Sequence, residues 1–177
     1  MIATTLFDEI ATGAASESPL WAGALRPPAE REAQPVFSAL LAEPRFALGV
    51  ETIYEGYLLH YGRPRLFSPP DDDVTLLLGD ALLAHGLVRI AATESVAAVF
   101  DLAELLSLCA QARADGHDGD GAAWAGTCAL LARGRLDDAR AALREGRDAA
   151  PLETLARETV GDARVDEALA AHRIRLR

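Results

Sequence analysis

The densest run of chemistry-bearing side chains in this sequence is Tyr57-Leu58-Leu59-His60-Tyr61-Gly62-Arg63-Pro64-Arg65, which gathers aromatic, imidazole and guanidinium groups at the end of a helical segment. Two arginines beside a helix stop can hold a diphosphate or a carboxylate, because their forked donors match the geometry of such anions. Tyr57, His60, Arg63 and Arg65 are therefore the candidate ligand or partner contacts. The same arginines can equally lie exposed beside a loop, or pair with Asp80 or Glu55, and the sequence leaves these alternatives open.

Asp80 is the second residue that asks for an explanation. On a helical wheel it falls among Leu76, Leu77, Leu83, Ala84 and Leu87, which predicts a carboxylate buried in an apolar face. A buried carboxylate needs hydrogen-bond partners, and Tyr54, Tyr57, His60, Tyr61, Arg63 and Arg65 precede it within reach. The expected role is a structural buried acid tying two helices together, with a ligand-site acid as the alternative.

Other carboxylates carry less chemistry. Asp71, Asp72 and Asp73 could hold magnesium, but they stand where a helix begins, and capping is the expected role. The run Asp115-Gly-His-Asp-Gly-Asp-Gly121 lacks the EF-hand spacing and is expected to be an exposed loop. No metal ligand set is assigned, and no catalytic residue. Cys109 and Cys128 lie in Ala- and Leu-rich segments, so buried free thiols are expected. The sequence contains no Lys, which excludes Schiff-base chemistry and a Walker lysine.

These residues need elements to position them. Of the 177 residues 50% are hydrophobic and only 6% aromatic, so a core of Ala, Leu and Val is expected, which favours closely packed helices. The fold class is all-α: a compact helical bundle over 1–177 as a single domain, with 14–35 an irregular Pro-rich arm. Apolar residues from Phe46 to Tyr61 recur at three-and-four spacing and predict one helix, which Gly62 stops. A second, apolar nearly all round, runs from the Asp71–Asp73 caps to about Ala92 and is expected at the centre of the bundle. A third follows from about Ser95 to Ala114, and four shorter amphipathic helices lie beyond Gly121. A short helix is also predicted over Ile2 to Thr12.

The formal charge of −10 argues against a nucleic-acid partner, which would require a basic surface. Asp8 and Glu9 without a basic start argue against a secretory signal. Asp80, His85 and Arg89 interrupt the most apolar stretch, so no integral membrane segment is expected and the localisation is read as cytoplasmic.

The segment Asp73-Val-Thr-Leu-Leu-Leu-Gly-Asp80-Ala-Leu-Leu-Ala-His-Gly-Leu87 resembles the Leu-x-Gly-Asp-x-Leu-x-Ala helix of polyprenyl diphosphate synthases, and Tyr61-Gly62-Arg63-Pro64 is loosely similar to the stretch before that helix. The likeness covers about a third of the chain. Catalytic members bind magnesium and an allylic diphosphate through two Asp-rich motifs. Here the corresponding positions read Glu51-Thr-Ile-Tyr-Glu-Gly-Tyr57 and Asp137-Asp138-Ala-Arg-Ala141. The resemblance therefore implies a truncated isoprenoid-synthase-like bundle, closest in character to the noncatalytic small subunit of heptaprenyl diphosphate synthase. Its implied partner is a catalytic prenyl synthase subunit or another helical protein, with an isoprenoid as a further ligand. Magnesium would enter only through that catalytic partner. The alternative is a helical interaction or assembly protein on a degenerate scaffold of the same kind.

Overall fold

The computed structural model describes residues 5–176, and every regular element among them is helical. In chain order these are α1 (Leu6–Glu17), α2 (Pro19–Ala24), α3 (Ala47–Tyr61), α4 (Asp72–Ala91), α5 (Val96–Ala114), α6 (Asp120–Ala129), α7 (Asp137–Gly146), α8 (Ala150–Val160) and α9 (Asp162–Arg175). Short 3₁₀ turns at Pro28–Glu30, Ser38–Leu40 and Pro44–Phe46 punctuate the stretch between α2 and α3. Residues 2–4 of the first predicted helix lie outside the described residues.

Local chemistry explains where the helices start. Thr5 and Asp8 form a reciprocal capping box at α1, Ser18 caps α2 ahead of Pro19, Asp71 accepts from the Val74 amide at α4, and Ser95 accepts from the Ala98 amide at α5. Asp71 is thus a helix cap, and Asp72 and Asp73 lie exposed in the first turn.

Glycines set the central contact. Gly49 and Gly56 on α3 face Gly86 and Gly79 on α4, each pair seven residues apart, and the two helices run against each other almost backbone to backbone. A Cβ at Gly56 would lie 2.9 Å from the Gly79 carbonyl oxygen, and one at Gly86 would lie 2.9 Å from the Gly49 carbonyl oxygen. Only glycine permits that approach.

The central helix is α3, in which every residue from Gly49 to Leu59 is buried. Its Leu59 belongs to one hydrophobic cluster with Phe7, Ile10, Phe67, Leu78 and Leu82; its Val50, Ile53, Tyr54, Tyr57 and Leu58 belong to a second with Phe37, Leu102, Leu105, Trp124 and Leu152. The expectation that α4 is central is corrected. Its buried stripe is Val74, Leu78, Gly79, Leu82, Gly86 and Ile90, and its opposite face is open. Cys109 and Cys128 are buried free thiols, and burial pushes both well above the ordinary thiol range.

The segment 14–35 is more regular than the prolines suggested. Ala14–Glu17 completes α1 and Pro19–Ala24 forms α2, because Pro is well placed in a first helical turn. Trp21 and Leu25 pack on the cluster around Phe67, and Leu25 bridges to Phe67 through the backbone.

Candidate functional site

The last turn of α3 brings Tyr57, His60 and Tyr61 to a groove of about 340 Å³ shared with Asp80 and Leu83 of α4 and with Leu106, Ser107 and Ala110 of α5. The His60 ring lies flat against Gly79, where a Cβ would stand 2.7 Å from Nε2. Its Nε2 is 3.1 Å from Asp80 Oδ1, an ion pair when the ring is protonated, but it lacks hydrogen-bond alignment. The Gly79-Asp80 pair thus has a local purpose: glycine makes room for the imidazole and aspartate lies at its edge.

The prediction of a buried Asp80 is overturned, since its side chain is 67% exposed. Helix α4 is apolar on all sides, so a wheel cannot tell its inner face from its outer one. The inner face is marked by glycine rather than by leucine.

Arg65 is corrected as well. It is fully buried and cannot meet a ligand or partner from outside. Its Nη1 donates to Glu51 Oε2 at 2.6 Å and its Nε to Glu55 Oε2 at 2.9 Å, while the remaining Glu51 and Glu55 oxygens accept backbone amides of Val36, Ser38 and Leu66. The guanidinium also lies over the Phe7 and Tyr54 rings. Burial opposes its charge, but the two glutamates outweigh burial and hold it more firmly protonated than an ordinary arginine. The pairing with Glu55, one of the alternatives open in the sequence, is therefore present. Arg63 points the other way, exposed, and donates to the Ile174 carbonyl at the end of α9. With Pro64 between them the two arginines face apart and form no anion clamp.

Tyr57 leads inward from the groove to a network that the sequence did not reveal. Its hydroxyl donates to Asp120 Oδ2, which also accepts from Arg113 Nε at 2.8 Å. His172 of α9 stands beside them, with Nδ1 at 3.0 Å from the Tyr54 hydroxyl and Nε2 at 3.7 Å from Asp120 Oδ1. Burial alone would raise the Asp120 carboxyl. The His172 ring, the Tyr57 hydroxyl and the Arg113 guanidinium outweigh it and hold the group well below the usual carboxylate range. Burial pushes the Tyr54 and Tyr57 hydroxyls up, so both stay protonated. Asp120 therefore belongs to the first turn of α6 and to the core, rather than to the exposed loop expected over 115–121. Gly119, with a positive φ of 138°, turns the chain sharply into the helix just before it.

The groove opens onto the outer face of α4 and α5. Leu76, Leu77 and Val88 of α4 and Val96 and Phe100 of α5 are 55–83% exposed. Between Leu76 and Val88, Asp80 is the only charge at an exposed position, and the exposed positions of α5 are Val96, Ala97, Phe100, Ala103, Ser107, Ala110 and Ala114. Neighbouring charges are engaged elsewhere: His85 with Glu17, Arg89 with Thr52, and Glu104 with Arg144. By length and hydropathy α4 is the one helix among the described residues that could cross a membrane, because both of its faces are apolar. No protein-family model matches the chain, and no curated protein or solved structure matches it.

Proposed function

We propose that this chain is a noncatalytic accessory protein that binds a helical partner on the α4–α5 face. The observation that carries the reading is the row of large apolar side chains on that face with Asp80 as the single fixed charge among them. Large apolar side chains gathered in exposed positions mark interaction sites. An apolar helix carrying one Arg or Lys opposite Asp80 would complement it. On the resemblance of the Leu76–Leu83 segment, the partner is the catalytic subunit of a polyprenyl diphosphate synthase, and the complex would serve isoprenoid side-chain synthesis.

The alternative, an assembly protein without lipid chemistry, draws support from the bundle interior. Phe37, Tyr54, Tyr57, Trp124 and His172 stack on one another with ring centroids 5.1–6.2 Å apart, so the middle of the bundle is filled rather than tubular. A chain-length gauge would then have to lie in the partner.

Reconstitution tests both readings. The chain is mixed with the catalytic prenyl synthase from its own genome, and complex formation and prenyl transfer are measured for wild type, Leu77→Asp and Phe100→Asp. Complex formation by wild type with faster prenyl transfer, lost in both variants, supports the accessory reading. Binding without any change in transfer favours the assembly protein. Binding that survives both charges removes the α4–α5 face from the proposal.

A further inference from the structure

Three stretches far apart in sequence are stitched together at the end of α9. The Arg26 amide donates to the Leu66 carbonyl at 2.9 Å, the Glu32 amide to the Arg65 carbonyl at 3.3 Å, and the Arg63 amide to the Arg175 carbonyl at 2.8 Å. Backbone bridges join Leu25 to Phe67 and Gly62 to Leu176. The irregular segments 25–32 and 62–67 thereby hold fixed positions, and each brings arginine toward the last turn of α9.

Glu32 is the informative residue. Its carboxylate is 62% exposed and accepts at 2.6 Å from Nη2 of Arg175, which is itself buried. That hydrogen bond holds the Glu32 carboxyl below the usual carboxylate range against burial, and the charges of Arg175, Arg26 and Arg63 add to it. Three guanidinium groups thus act on one carboxylate. Arg31 stands on the same segment, its Nε donating to the Arg26 carbonyl at 2.8 Å, and the exposed Arg63 donates to the Ile174 carbonyl. Arg175 with Glu32 is the one ion pair among these residues. Glu30 is the other acid on the segment, while Asp8 and Asp72 bound the patch beyond Arg31 and Arg26. On a chain of net charge −10 this is a local surplus of positive charge. Ile174 adds an apolar side chain that is 69% exposed.

We infer that this arginine patch binds an acidic peptide segment of a partner protein, with carboxylates seated among Arg26, Arg63 and Arg175, an apolar side chain over Ile174, and Glu32 holding the place in the free chain. The forked donors of guanidinium match carboxylates, and in this chain every basic side chain other than histidine is an arginine. Glu32 supplies a single carboxylate to three guanidinium groups, so a segment with neighbouring carboxylates adds the charge that Glu32 lacks. A small anion such as phosphate would satisfy the arginines but leave Ile174 uncovered. A nucleic acid would meet the chain's negative charge as soon as it extended past the patch.

The test titrates the full chain by calorimetry with the peptide acetyl-Glu-Glu-Leu-Glu-Glu-amide, with its all-Gln counterpart, and with inorganic phosphate. The expected result is saturable binding of the Glu peptide, about tenfold tighter than the Gln peptide or phosphate, which is the scale of one charge-assisted hydrogen bond. Arg26→Gln and Arg63→Gln should each weaken it by about the same factor with an unchanged melting temperature. Glu32→Gln releases Arg175 and should tighten the peptide, an effect that a purely structural ion pair would not give. If the arginine variants do not fold, Ile174→Ser carries the comparison, weakening the Glu peptide and leaving phosphate unchanged. Equal affinity for the Glu and Gln peptides, phosphate binding as tight as the peptide, or no tightening in Glu32→Gln would each overturn the inference.

Discussion

Two glycine-to-alanine substitutions, Gly86→Ala and Gly23→Ala, should change stability in opposite directions. Both sites are helical, so each replacement gains about 0.8–1.0 kcal/mol of helix propensity. At Gly23, in α2, nothing lies within 4 Å of the added Cβ, and the gain is kept. At Gly86 the Cβ runs into the Ile53 side chain and stands 2.9 Å from both the Gly49 carbonyl oxygen and the Ile53 amide nitrogen. Overpacking costs about 1–3 kcal/mol, and the upper end applies because backbone atoms cannot rotate away. The net loss at Gly86 is therefore about 2 kcal/mol. For a chain of this size a kcal/mol moves the melting temperature by about 2–4 °C, which gives a fall of roughly 4–8 °C for Gly86→Ala and a rise of roughly 2–4 °C for Gly23→Ala. Thermal unfolding followed by far-ultraviolet circular dichroism decides the matter. Shifts of the same sign, or a rise for Gly86→Ala, would refute the glycine-mediated contact between α3 and α4.

Arg65→Met leaves Glu51 and Glu55 buried without their counter-charge and should cost about 3–5 kcal/mol in urea unfolding, whereas a loss below about 1 kcal/mol would mean that water reaches the site. Asp80→Asn should cost no more than about 1 kcal/mol, as expected for an exposed pair; a loss of several kcal/mol would restore the buried-acid reading. Asp120 has a folded-state pKa below its unfolded value, so its contribution is complete above about pH 4 and is lost as the pH falls toward the folded value. Wild type should therefore lose more stability between pH 7 and pH 3 than Asp120→Asn, and equal losses would contradict the network around Tyr57.

The helices were legible because their caps and periodicity are local. Asp71, Ser95 and Gly62 stand where the sequence pattern put a start or a stop. The packing order was not legible, since α3 and α4 are both strongly apolar and leucine spacing ranks them equally. The difference lies in paired glycines on two separate segments, a long-range correspondence that no single window contains. The candidate site was read in part: Tyr57, His60 and Asp80 do share a groove, but Arg63 and Arg65 diverge around Pro64. Arg113, Asp120 and His172 meet across separations of 7 to 118 residues from their partners, and their types alone give no hint of it.

Charge and apolar surface are distributed in an unusual way here, and the two features bear on each other. Arg65 with Glu51 and Glu55, Arg140 with Asp101, and Arg113 with Asp120 all lie in or at the edge of the interior. Leucine, valine and phenylalanine meanwhile stand outside on α4 and α5. Buried ion pairs add little net stability over apolar packing but hold one geometry, because any misplacement leaves a charge unpaired. Here they tie α3 to the segments at 34–38 and 65–66, α5 to α7, and α5 to α6. Two of these ties hold α5, which carries Val96 and Phe100, to the helices that follow it. Among the exposed positions of α4 from Leu76 to Val88 and of α5, the one charge is Asp80, with His60 beside it.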